Sequence, residues 1–157
     1  MKKKLKWIVI AVIAGVFVIQ FFRPDRTNPQ VNPAESIEAD STVPASVKTI
    51  LRTSCYDCHS NETVWPWYSS IAPMSWLVAD DVHTGRHMMN FSLWGTYPLS
   101  RKVAKVSGIY DQISKGSMPL GKYLLLHPDA RLTPAQRDTL LNWTQEENDR
   151  LTGNDDN

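Results

Sequence analysis

The chain contains little cysteine, since only two of its 157 residues are of this type. A scaffold held by several disulfides and a zinc site built from four cysteines are therefore excluded. Positive charge is also scarce in residues 24–157, which contain 12 basic residues against 16 acidic ones. Nucleic-acid binding needs a basic face, so the composition argues against a nucleic-acid partner.

Two kinds of pattern are missing as well. No run of alternating apolar and polar residues is long enough to predict a sheet, so we predict an all-α fold. The sequence has no nucleophile elbow, no convincing catalytic triad and no His-Glu-x-x-His motif, so it gives no support for hydrolytic catalysis.

Both cysteines lie in one motif, Cys55-Tyr56-Asp57-Cys58-His59. C-x-x-C-H is the attachment site of a c-type haem. Two thiols at this spacing can each add to a vinyl group, and the adjacent histidine is then held under the iron as its proximal ligand. We therefore predict one covalent haem c, with Cys55 and Cys58 as attachment points and His59 as an iron ligand.

Two other interpretations of the motif remain open. A bare C-x-x-C is also found in redox dithiols, although those normally open a helix in a βαβ unit. A Cys/His zinc site is the second alternative, because His83 and His87 are spaced i, i+4 and would complete a Cys₂His₂ set.

The distal iron ligand is predicted to be Met118, which precedes Pro119 in a loop about 60 residues after His59. A thioether in such a loop can be held over the iron, and the proline rigidifies the loop. Met/His ligation would raise the reduction potential relative to bis-His ligation. Other side chains that could reach the iron are His83, His87, His127, Met74, Met88 and Met89.

The N-terminus predicts export. A cluster of four lysines precedes an apolar run from Trp7 to Phe22, broken only by Gln20. We interpret residues 1–23 as an uncleaved membrane anchor that leaves the rest in the periplasm at the inner membrane, with a cleaved signal peptide as the alternative. Residues 24–42 read as a flexible linker, 43–151 as the haem-binding domain and 152–157 as a polar tail.

Four helices are predicted in the domain. The first starts near Pro44 and leads into Cys55, the second follows Pro73, and the third follows Pro98 and ends near Gly116. The fourth begins with a capping box at Thr133 and Gln136 and runs toward Leu151. This layout matches a small class I-type cytochrome c, in which the first and last helices pack together.

Aromatic residues are dense from Cys55 to Trp94, and we expect four of them to pack against the haem or contact its propionates: Trp65, Trp67, Tyr68 and Trp76.

The segments CYDCHSNETVWPWYSSIAPMSWLVADDV and NFSLW, followed by the pattern G-x-MPL-x-x-Y-x-x-x-HP-x-A-x-LT, resemble the bacterial haem-binding domain family. The resemblance covers Val43 to about Trp143. It implies a membrane-anchored, monohaem domain with Cys55 and Cys58 as attachment points, His59 as proximal ligand and Met118 at the distal position.

The favoured function is therefore single-electron transfer to a redox partner protein, rather than catalysis. The alternatives are a haem-based sensor or peroxidase-like enzyme with a labile sixth ligand, and a zinc-binding interaction domain without haem.

Overall fold

The computed structural model describes residues 2–153, and its secondary structure is entirely helical. Within this range there are seven α-helices and no strand, which confirms the predicted all-α class. The α-helices are α1 (Lys2–Ile19), α2 (Ala45–Ser54), α3 (Tyr56–His59), α4 (Met74–Met88), α5 (Leu99–Ser114), α6 (Gly121–Leu124) and α7 (Pro134–Thr152). Short 3₁₀ helices lie at Pro33–Glu35, Ile37–Ala39, Trp67–Ser70, Phe91–Thr96 and Pro128–Ala130.

The capping box predicted for the last helix is present. The Thr133 hydroxyl accepts from the Gln136 backbone N–H, and the Gln136 side chain accepts from the Thr133 N–H. Together these bonds satisfy two of the N–H groups that a helix N-terminus leaves unpaired. At the other end Gly153 has a φ of 74°, the left-handed conformation that glycine adopts without strain.

One apolar cluster joins the first and last helices of the domain, as the class I-type layout predicted. Val47, Ile50 and Leu51 of α2 are buried in the same cluster as Leu140 and Trp143 of α7. Helix α5 lies against α7 and adds Val106 and Ile113 to this cluster.

The prediction of a flexible linker over residues 24–42 is wrong, because the segment is hydrogen-bonded to the domain at Arg26 and Asn28 and packs into it farther along. Ile37 is fully buried in the core, and the Asp40 carboxylate accepts a hydrogen bond from Trp94 Nε1 at 2.9 Å. Burial works to raise the pKa of Asp40, but hydrogen bonds from Thr42 and Trp94 bring it below its usual value. The folded domain thus begins before Val43.

The prediction of a membrane-spanning helix in residues 1–23 also needs correction. Among the described residues no helix is both long and apolar enough to cross a membrane. Helix α1 ends at Ile19 and contains four lysines near its start. Its apolar part from Trp7 to Ile19 is about 20 Å long, against about 30 Å for the hydrocarbon core of a bilayer. Of the predicted polar tail, residues 154–157 lie outside the described range.

Replacing Ile37 with Ala tests whether this segment belongs to the folded core. Because the side chain is fully buried, we expect the free energy of unfolding to fall by about 2–5 kcal/mol. Leu99→Ala removes an exposed aliphatic side chain and should change stability by less than about 0.5 kcal/mol. Urea unfolding followed by circular dichroism measures both. Equal, small effects would mean that the segment around Ile37 is not part of the folded core.

Candidate haem site

A single cavity of about 510 Å³ brings the predicted site residues together. Its lining includes Cys55, Cys58 and His59 from the motif, and Met118 and Pro119 from the loop after α5. This volume lies within the range of small-molecule and cofactor pockets, about 300–1,000 Å³. The other lining residues are mostly apolar and come from several helices: Leu51, Phe91, Ile109, Ile113, Leu120 and Leu140.

The motif is positioned by a close approach between α4 and α3. Gly85 lies in the interior of α4, directly against the backbone of Cys58. A Cβ at position 85 would lie 2.4 Å from the Cys58 carbonyl oxygen, closer than any real contact. Only glycine therefore permits this packing. The stabilisation gained from the close contact offsets the cost of placing glycine inside a helix, which is about 1 kcal/mol.

Hydrogen bonds with α4 and with the residue after it orient the end of the motif. His59 Nδ1 donates to the Met89 carbonyl oxygen at 3.2 Å, which leaves Nε2 as the nitrogen available to a metal. Burial lowers the pKa of His59, so the imidazole stays neutral, the form that binds metals. Arg86 Nε also donates to the Ser60 carbonyl at 2.7 Å and holds the chain just after the motif.

The two thiols are also held in apolar surroundings. Burial raises the pKa of Cys55 to about 12, with a further contribution from Cys58. Burial raises the pKa of Cys58 to about 11, and the nearby Asp81 adds to it. The two residues form no disulfide.

The end of α5 places Met118 at the cavity. The helix stops at Ser114, and Gly116 has a φ of 66°, which turns the chain without strain. The Ser117 N–H then bonds back to the Gln112 carbonyl at 3.0 Å, and Arg137 of α7 donates to the Ser114 carbonyl at 2.6 Å. Met118 is half-buried against the core cluster as a result.

One edge of the cavity is polar. Tyr123 donates from its hydroxyl to Asp57 Oδ2 at 2.8 Å, and its ring stacks on His127 with centroids 4.2 Å apart. Burial and this hydrogen bond raise the pKa of Tyr123. Lys122 forms an ion pair of 2.8 Å with Asp81, and both residues line the cavity.

None of the four aromatic residues expected to pack against the haem or contact its propionates lines the cavity, and their contact with the cofactor stays a prediction. Trp65 donates to Asn28, Trp76 donates to the Phe22 carbonyl, and Trp67 is 76% exposed. Tyr68 hydrogen-bonds to His127 Nε2 at 2.8 Å and so supports Tyr123 from behind. None of the four is fully buried, and their hydrogen-bond partners are too distant in sequence to have been predicted.

Most of the rival ligands are also separated from the motif. His83 and His87 are exposed on α4, and His127 is engaged with Tyr68 and Tyr123. Within residues 2–153 no group of three or more His, Cys, Asp or Glu residues is arranged to hold a metal ion, so the zinc alternative gains no support. Met88 does line the cavity and remains the nearest rival of Met118.

Comparison with known families agrees with this geometry. A family model described as "Haem-binding domain" matches residues 14–146, most of the chain. The chain belongs to the haem-binding domain family. No curated protein and no solved structure matches it.

The residues present fit a haem. A haem-binding domain needs an apolar slot for the porphyrin and a donor for the iron, and the cavity offers both. Small residues on α5, Ala104 and Gly108, line the slot and leave room for a planar ring. Two further residues of the site were not predicted from the sequence. Gly85 has one local signal, a glycine inside a helical pattern, and the Met89 carbonyl has none.

Replacing Gly85 with Ala should destabilise the haem-binding domain, because the new methyl group meets the Cys58 backbone. We expect a loss of about 1–3 kcal/mol in the free energy of unfolding, together with a lower yield of haem-loaded protein. Gly15→Ala, on α1 where nothing lies within 4 Å, is the matched control and should cost nothing. Thermal unfolding and haem absorbance measure the two effects, and an unchanged Gly85→Ala variant would contradict the packing argument.

Proposed function

We propose that this haem-binding domain carries one covalently attached c-type haem and transfers single electrons. Cys55 and Cys58 would form thioethers to the porphyrin, His59 would bind the iron on one face and Met118 on the other. When bound, the haem supplies a one-electron Fe(III)/Fe(II) couple.

The observation that carries the proposal is the convergence of the C-x-x-C-H motif and Met118 on one apolar cavity. These residues lie about 60 positions apart in the sequence, and all of them line the same slot. Two thiols that can add to the vinyl groups, beside a histidine with a free Nε2, are the residues that hold a c-type haem. A methionine would complete the His/Met pair of iron ligands found in cytochromes c.

The chain's own groups would hold the site rigid during electron transfer. The Met89 carbonyl keeps the His59 ring oriented, and Gly85 keeps α3 against α4. The apolar part of the lining would limit water around a bound haem iron, and together with a thioether ligand this would favour the reduced state.

We propose further that the domain works in the periplasm, in association with the inner membrane, and exchanges electrons with a redox partner protein there. Covalent haem attachment takes place outside the cytoplasm, which agrees with the lysine cluster followed by an apolar segment at the N-terminus. Residues 24–157 contain more acidic than basic residues, which suits a partner with a basic docking surface.

Covalent attachment is tested by expressing the full chain together with the haem-attachment machinery. We expect the pyridine haemochrome spectrum of a haem with both vinyl groups saturated, and haem that stays with the polypeptide in acidified acetone. The Cys55→Ser/Cys58→Ser double variant should lose its haem on extraction. A wild-type protein without haem would overturn the proposal.

The distal ligand is tested with two methionine variants that line the same cavity. Met118→Ala should abolish the weak long-wavelength charge-transfer band of a sulfur–iron(III) bond and lower the reduction potential, because the thioether favours Fe(II). Met88→Ala should leave both unchanged. The reverse result would assign the ligand to Met88. A large Soret shift of the reduced wild-type protein with carbon monoxide would favour the sensor or enzyme alternative instead.

A further inference from the structure

Residues 20–28, which follow α1, form a strap along the domain. The Gln20 side chain donates to the Ala72 carbonyl at 3.1 Å and accepts from the Ala72 N–H at 3.0 Å. Trp76 Nε1 donates to the Phe22 carbonyl at 2.6 Å. Farther along, Arg26 donates to the hydroxyls of Ser69 and Ser70 at 2.9 and 2.8 Å.

The end of the strap, at Asn28, is also hydrogen-bonded to the domain. Asn28 donates to the Thr63 carbonyl at 2.9 Å, and its side-chain oxygen accepts from Arg86 at 2.6 Å. Bonds to four separate parts of the domain therefore fix the direction in which α1 leaves it. A helix joined in this way cannot swing freely on a tether.

An apolar collar surrounds the point where the strap meets α1. Its members are all exposed and lie within two short segments joined by the bonds of Gln20 and Trp76: Phe21, Phe22, Ile71, Met74, Trp76 and Leu77. Contiguous exposed apolar surface of this kind marks an interaction site. Helix α1, directly beyond the collar, has no buried residue at all.

The chemistry of α1 points to lipid as the occupant. Its segment from Trp7 to Ile19 is apolar on every side, with no polar face to turn to water, whereas a helix made for one protein partner has a single apolar stripe. Its lysines lie at the end away from the collar, and Arg23 lies beside the collar. Cationic groups and tryptophan at such positions suit anionic headgroups and the interfacial zone of a bilayer.

We propose that the collar rests on the lipid surface, so that the strap sets one fixed orientation of the domain on the membrane. The inference depends on the membrane association proposed above. This orientation also places the haem cavity near the lipid. Thr84 lines the cavity and lies on the same helix as Met74 of the collar, ten residues later, which is about 15 Å along the helix axis. A redox partner would then meet the cavity edge close to the membrane.

The test uses the haem-loaded full chain with vesicles of phosphatidylcholine and phosphatidylglycerol in a 3:1 ratio, which carry a lipid with a photoactivatable diazirine in its acyl chain. After flotation and irradiation, labelled peptides are mapped by mass spectrometry. We expect labels on α1 and on the collar segment 71–77, and none at Leu99, an exposed leucine at the start of α5.

The Gln20→Ala variant separates the collar from membrane binding itself. Losing the two hydrogen bonds to Ala72 should reduce labelling of 71–77 at least about fivefold while labelling of α1 persists. Gln30→Ala, at an exposed position beyond the strap, is the control and should label like wild type.

The outcomes are distinguishable. Labels confined to α1 in the wild type would overturn the collar proposal and leave membrane association standing. Absence of flotation would overturn membrane association and the collar together. Collar labelling that is unchanged in Gln20→Ala would overturn the role given to the strap.

Discussion

The contact between Gly85 and the backbone of Cys58 is the constraint on which the rest of the site depends. Because no side chain separates α4 from α3, which carries the C-x-x-C-H motif, the residues at the end of α4 reach both sides of the motif. The Met89 carbonyl orients His59, and Arg86 holds the chain just beyond it. The motif therefore presents its thiols and a free imidazole nitrogen from a rigid support, as a metal site requires.

The Met118 side of the cavity depends on a separate set of local structural features. Gly116 ends α5 and turns the chain, and Arg137 ties that end to α7. Met118 is thereby held against the core cluster at the same slot as His59. The two halves meet through the packing of α5 and α7 with α2, so the site depends on tertiary structure although each half has its own sequence motif.

Sequence alone predicted the features that rest on local chemistry. The C-x-x-C-H motif, the Met118 loop and the Thr133 capping box each carry their signal within a few residues. The ordered segment 32–42 was misread because Asn32, Ser36 and Asp40, which suggest a solvated linker, cap short turns by accepting from nearby N–H groups. The partners of the tryptophans lie tens of residues away, beyond the reach of any local pattern.

The central claim is that His59 and Met118 bind one iron from opposite faces of the cavity. Proton NMR of the reduced, haem-loaded protein, with methionine methyl groups isotopically labelled, tests it most directly. The account predicts one methionine methyl resonance shifted strongly upfield by the porphyrin ring current, and that this resonance disappears in Met118→Ala. No upfield methyl resonance, or one that survives in Met118→Ala and disappears in Met88→Ala, would contradict it.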